Sequence, residues 1–306
     1  MKRPMHTPPV YLDTYETGEL DERIEQLMKS LTACNLCPRA CRVNRTKGEL
    51  GYCKAGYGLM VSGVHPHYGE EDVLVGTCGS GTIFLTHCNL GCLFCQNYEI
   101  SHLGIGQLVT EEEFAASMLR LQELGCHNIN FVSPTHYTPQ IVSALRTAIE
   151  QGLRIPLVYN CGGYEAKRTI ELMDGIVDIY MPDIKYSDPE VAKRYSNAPD
   201  YFEVCKAAVK EMHRQVGDLA VDERGIAARG LLIRHLVLPH GLAGSHEVLK
   251  FIATELSTES YVNIMLQYRP MFRASEYEEL NRGITLREYQ DAVKCAKQWG
   301  LHRGFE

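Results

Sequence analysis

No apolar run in this 306-residue chain approaches the roughly 18 residues that a membrane-spanning helix needs, which argues against a helical membrane protein. Basic charge is also in short supply. The formal net charge is −7, so no basic surface points to nucleic acid as a partner. The opening stretch "MKRPMHTPPVYLD" has basic residues but no apolar core of the kind a secretory signal carries. Long repeats and low-complexity tracts are missing too. These absences leave a soluble, cytoplasmic chain as the expectation. At 45% hydrophobic residues it can bury a sizeable core, as one large domain or two modest ones.

Cysteine, by contrast, is abundant: there are 12. In a reducing compartment they are poor candidates for structural disulfides. Seven fall into two tight groups, Cys34, Cys37, Cys41 and Cys53, then Cys88, Cys92 and Cys95. Clustered thiols in a cytosolic chain read as metal ligands. The scattered Cys78, Cys126, Cys161, Cys205 and Cys295 read as small buried apolar side chains.

Hydrophobic periodicity organises the rest. "ELDERIEQLMKSL" (19–31) has helical spacing, and the first cysteine group follows in an aperiodic, ligand-held loop. From residue 82 the pattern alternates. Strands are expected at 82–87, 128–133, 155–160, 176–184, 231–239 and 261–268. Helices are expected at 110–125, 139–152, 164–173, 202–217, 245–256 and 285–300. Six strand–helix units imply parallel strands under covering helices with right-handed crossovers. The fold class is therefore α/β, an open partial (β/α)6 barrel, with a doubly wound sheet as the alternative. The expected boundaries are 1–77 for a helix and Cys-rich extension and 78–306 for the partial barrel. In either architecture ligands sit at the carboxyl ends of the strands.

The stretch "CNLGCLFC" (88–95) spaces its cysteines C-x3-C-x2-C, directly after a strand, with Asn89 and Gly91 favouring a loop. Zinc takes four ligands in structural sites and three in catalytic ones. A cubane iron–sulfur cluster takes one outside ligand per iron, so three cysteines leave one iron open to chelate a small molecule.

With Phe94 before the third cysteine, this motif resembles that of the radical SAM superfamily. The resemblance spans roughly 78–306 and is nearest to the activating enzymes of glycyl radical proteins, the pyruvate formate-lyase activase-like group; "GSGTIFLTHCNLGCLFCQNYEIS" (79–101) carries most of it. It implies a [4Fe-4S] cluster on Cys88, Cys92 and Cys95 whose open iron binds S-adenosyl-L-methionine. Reductive cleavage then gives a 5′-deoxyadenosyl radical that abstracts hydrogen, in the activases from a glycine of a partner protein. An electron donor such as flavodoxin or ferredoxin is implied as well. The alternatives are a radical SAM enzyme acting on a peptide or small molecule, and a non-enzymatic iron–sulfur or zinc module.

By position, the resemblance also assigns cofactor contacts to Asn160 in "VYNCGGYE", to Asp183 and Lys185 in "IVDIYMPDIKY", to Arg234 in "IRHLVLP" and to Gln267 in "MLQYRP". The bland alternatives are a capping role for Asp183 and a surface ion pair for Arg234. The superfamily's usual Gly-Gly-Glu after the second strand is absent. "VSPTHYTP" (132–139) stands there, so Ser133, Thr135 or His136, or backbone carbonyls, are expected to receive the cofactor's amino group, with a hydrogen bond within the core as the alternative for His136. "GSG" (79–81) is expected to turn the chain into the first strand, and His65 and His67 to pack rather than bind metal. The quartet Cys34, Cys37, Cys41 and Cys53 can close a zinc site or ligate a second cubane, and its spacing does not choose between them.

Overall fold

The computed structural model describes residues 8–305. The start of the stretch read for a secretory signal, residues 1–7, lies outside the described residues. Nine strands form one sheet: β1 (Leu59–His67), β2 (Ser80–Leu85), β3 (Gln107–Val109), β4 (Ile129–Val132), β5 (Leu157–Cys161), β6 (Ile179–Pro182), β7 (Ala220–Val221), β8 (Ala227–Leu236) and β9 (Tyr261–Met265). Six of them, β2-β4-β5-β6-β8-β9, run parallel in chain order. That order has no reversal, so it is singly rather than doubly wound. Among the described residues no ladder joins β9 back to the far edge at β3.

The parallel strands are rich in apolar residues, as expected of strands covered on both faces. Every residue of β5 and β6 is buried. Some of the helices begin where a side-chain oxygen meets the free backbone N–H groups. Thr110 and Glu113 form a capping box at Glu111–Glu123, as do Thr285 and Glu288 at Leu286–Gln298. Gly125, in the left-handed region at φ +84°, stops the first of these. All six strand–helix units read from the sequence are present.

Two features depart from that reading. The sheet begins before residue 78, since β1 pairs antiparallel with β2 and with β3. Gly63 and Pro66 interrupt β1 in sequence; a register shift falls at Val61/Gly63, while Pro66 pairs in register with Gly81. An additional helix, Pro189–Ser196, fills the long connection after β6; Asp188 caps it through the N–H groups of Glu190 (2.7 Å) and Val191 (3.2 Å). No helix is long and apolar enough to cross a membrane among the described residues.

The smaller expectations follow the packing. Gly79 adopts φ +82° just before β2. His65 stacks on Phe84 (5.3 Å between ring centres) and His67 meets the same ring edge-on. Cys126, Cys161 and Cys205 are buried, while Cys78 and Cys295 are partly so.

Candidate active site at the carboxyl ends of the parallel strands

Strand register decides which side chains meet. Val132 pairs with Asn160, and beyond it Ser133 N donates to Asn160 O (2.8 Å). Asp183 N donates to Cys161 O (2.9 Å), and an isolated parallel bridge sets Asp183 beside Arg234. Ser133, Asn160, Asp183 and Arg234, far apart in the chain, therefore line up at one level, where the ladders end.

A cleft of about 250 Å³ opens there. Cys88, Cys92 and Cys95 line it, with Phe94, Ser133, Asn160, Asp183, Lys185, Arg234 and Gln267. Each sulfur has a neighbouring donor. Leu90 N donates to Cys88 Sγ (3.4 Å), Ser196 Oγ donates to Cys92 Sγ (3.1 Å), and Ser101 Oγ lies 3.1 Å from Cys95 Sγ. Burial pushes all three thiols above their ordinary range, and the neighbouring N–H and O–H groups pull them partly back. A cation at the sulfurs would reverse that balance.

The loop carrying these cysteines is clamped from several sides. Arg39 Nε donates to Asn89 O (3.0 Å) and its Nη2 to Ser196 O (2.8 Å). Leu93 pairs through its backbone with Tyr195 and Arg273. Phe94 packs edge-on against Tyr186 and Tyr268, an apolar wall behind the third cysteine.

The same cleft is lined by a partly buried ionic network. Arg234 uses all three guanidinium nitrogens: Nε to Asp183 Oδ1 (2.7 Å), Nη1 to Glu70 Oε2 (3.1 Å) and Nη2 to Asn160 Oδ1 (2.7 Å). Lys185 Nζ takes the other Asp183 oxygen at 2.5 Å. Two cations thus hold Asp183 below the usual carboxylate range against the opposing effect of burial. Burial raises Glu70, with Arg234 acting against it. Asp188, rather than Asp183, is the helix cap, and the ion pairs of Arg234 are made with the partly buried Glu70 and Asp183. Glu70 is the member missed in the sequence, where it follows an interrupted strand in "HPHYGEE".

Ser133 sits in the left-handed region at φ +59°, a costly conformation for a residue with a side chain, and lines the cleft. Thr135 and His136 do not line it; of the three side chains offered for the amino group only Ser133 does, and His136 takes the hydrogen bond within the core that was its alternative. After Ser133 and Pro134 the chain turns into a short helix, Thr135–Tyr137, in which both side chains are buried away from the cleft. Thr135 Oγ1 donates to the buried Glu165 (2.7 Å), whose carboxyl is pushed up to about 8 by burial. His136 Nε2 donates to Thr86 O (2.8 Å). Gln267 lies beyond β9 and is exposed; its carbonyl accepts from Gln96 Nε2 (3.1 Å).

Among the described residues, no group of three or more His, Cys, Asp or Glu is placed to hold a single metal ion. A cubane makes a different demand, because it spreads its thiolates over separate irons. Three sulfurs in a roomy cleft, with a polar network lining it as well, suit such a cluster and a chelating cofactor.

The model of the Radical SAM superfamily matches residues 82–222, which include the three cysteines, Asn160, Asp183 and Lys185. The chain is 32% identical over 297 residues to "Uncharacterized protein MJ0674" of Methanocaldococcus jannaschii, covering 95% of this chain and 82% of that one. It is 26% identical over 209 residues to "Uncharacterized protein MJ0808" of the same organism, covering 61% of this chain and 56% of that one. The matched segment, the cysteine loop after the first parallel strand and the cleft it borders agree: this chain belongs to the radical SAM superfamily.

Proposed function

We propose that this enzyme cleaves S-adenosylmethionine reductively in the cleft and draws a hydrogen atom from a glycine of a partner protein. The observation that carries the reading is that Cys88, Cys92 and Cys95 share one cleft with Asn160, Asp183, Lys185 and Arg234. When bound, a [4Fe-4S] cluster supplies the electron and the open iron at which the cofactor chelates. Cys88, Cys92 and Cys95 hold that cluster as thiolates.

The other residues bind and orient. Asp183 fixes Lys185 and Arg234 in place, so the cleft presents a preorganised polar wall. Asn160 gives its amide oxygen to Arg234 and keeps its NH2 as a donor. Ser133 stands where the superfamily usually receives the amino group. Phe84, Leu85, Val132, Leu236 and Met265 supply apolar surface that keeps water from a reactive radical. The partial-barrel curvature of the sheet belongs to the same proposal. The glycine target rests on the likeness of the segments 79–101 and 176–186 to the activating enzymes.

The test is anaerobic reconstitution with iron and sulfide, then electron paramagnetic resonance with and without S-adenosylmethionine. The expected outcome is a cofactor-dependent change in the cluster signal and release of 5′-deoxyadenosine under strong reductant. Incubation with glycyl radical proteins of the same host should then give a glycine-centred radical. Cofactor cleavage with no radical on any such protein would end the activation reading and leave the cleavage chemistry standing.

A further inference from the structure

The second cysteine group lies outside the cleft. Cys34, Cys37, Cys41 and Cys53 line one small enclosed cavity, and Arg45 and His136 line it with them. We propose that these four cysteines hold a second iron–sulfur cluster, seated against His136 and Arg45.

The backbone around them is arranged for sulfur. Tyr52 N donates to Cys41 Sγ (3.3 Å), and the N–H groups of Arg39 and Ala55 point at the sulfurs of Cys37 and Cys53. In those last two cases the donor lies two residues after the cysteine. The same spacing joins Leu90 N to Cys88 Sγ in the cleft. Gly51 is bare where a Cβ would stand 2.9 Å from Cys41 Sγ. Ala40 (φ +40°), Arg42 (φ +60°) and Lys54 (φ +61°) are left-handed with side chains present, and they flank Cys41 and follow Cys53. Such conformations cost about 1–3 kcal/mol each and persist only where surroundings impose them. The loop has little regular structure to do so, only the short helical turn Arg45–Lys47.

One buried group points to an anionic occupant. Arg45 is only 1% exposed, and its guanidinium bonds carbonyl oxygens alone, those of Gly56 and His136. Among the described residues it makes no ion pair with a carboxylate. Buried charges are normally paired, and a cluster with four thiolate ligands carries the missing negative charge. His136 borders the same cavity, its ring held by Nε2–H donating to Thr86 O.

The placement of the thiols favours a cluster over zinc. A structural zinc draws its four thiolates to one point at about 2.3 Å. Among the described residues no group of three His, Cys, Asp or Glu is placed for a single ion, although all four cysteines border one cavity. A cubane sets its four sulfurs apart in this manner.

The triple variant C88A/C92A/C95A isolates this site, because it removes the cleft's ligands and leaves the quartet. After anaerobic purification and reconstitution we expect about four irons and about four sulfides per chain. Wild type should carry about twice that. The double variant C34A/C41A should fall to about four irons and keep the S-adenosylmethionine-dependent resonance change. Less than about one iron per chain in the triple variant, with its circular dichroism and thermal transition intact, would overturn the proposal. So would one tightly held zinc per chain in its place. If the double variant does not fold, the triple variant alone decides. Loss of cofactor cleavage in wild type would count against the proposed function without touching this site.

Discussion

Cys88, Cys92 and Cys95 border a cleft of about 250 Å³ that reaches solvent past Gln96 and Gln267, whereas Cys34, Cys37, Cys41 and Cys53 border an enclosed cavity of about 10 Å³. The chain uses similar local chemistry in both places, with N–H donors aimed at sulfur from loops that carry left-handed residues. What differs is the number of thiols and the room in front of them. Three thiols beside a large polar cleft leave a coordination position and space for a chelating molecule. Four thiols around a small cavity leave neither. Arginine marks the same contrast: Arg234 faces two carboxylates, and Arg45 faces only carbonyls. One cation completes a network that protein side chains already supply, and the other awaits charge from a ligand.

The contrast breaks most simply at the cleft. Alanine at Cys88, Cys92 or Cys95 should abolish 5′-deoxyadenosine formation and the cofactor-dependent resonance change; product at wild-type levels from any of them would remove the distinction between the two groups. Arg234→Met comes next. It strands Asp183 and Glu70 in the interior, and loss of one partner from a buried pair costs about 3–5 kcal/mol. Urea denaturation should register a shift of that size, and a change under about 1 kcal/mol would mean that the network is solvated.

Asp183→Ala should keep its iron and bind S-adenosylmethionine about tenfold more weakly, or about 1.4 kcal/mol, as read by equilibrium dialysis under anaerobic conditions. Undiminished affinity would confine Asp183 to holding the fold.

Glu165 sharpens the comparison through pH. Its carboxyl is raised from 4.5 to about 8 in the folded chain by burial. The folded state therefore holds a proton that the unfolded state has lost in this window. Its contribution to stability is full below 4.5 and fades as pH rises through about 8. Glu165→Gln should flatten that slope in denaturation midpoints measured from pH 5 to 9, and an unchanged slope would assign it to other groups. The smallest effect is expected at Ser133→Gly. Relief of the left-handed conformation should raise stability by up to about 1 kcal/mol, seen as a higher thermal midpoint, while a fall would mean that the hydroxyl itself supports the turn.

Much of this was legible in the chain because it is local. The capping box at Thr110 and Glu113, the apolar runs of β5 and β6 and the glycine stop at Gly125 each follow from a few neighbouring residues. The C-x3-C-x2-C motif is equally local, so its place after the first parallel strand was readable. The strand β1 was not, because Gly63 and Pro66 mask its alternation and its partners are supplied by β2 and β3. The fate of "VSPTHYTP" was also hidden. One positive φ at Ser133 divides it, leaving Ser133 at the cleft and turning Thr135 and His136 away.

The sequence by itself determined the elements, the six-unit alternation and the two cysteine groups, since periodicity, capping and spacing act over short stretches. Only the tertiary structure decided that Asn160, Asp183 and Arg234 share one wall, that Glu70 joins them, and that His136 sits with the other cysteines. Those meetings depend on strand register and on the direction of a single turn, and both are fixed by packing between segments far apart in the chain.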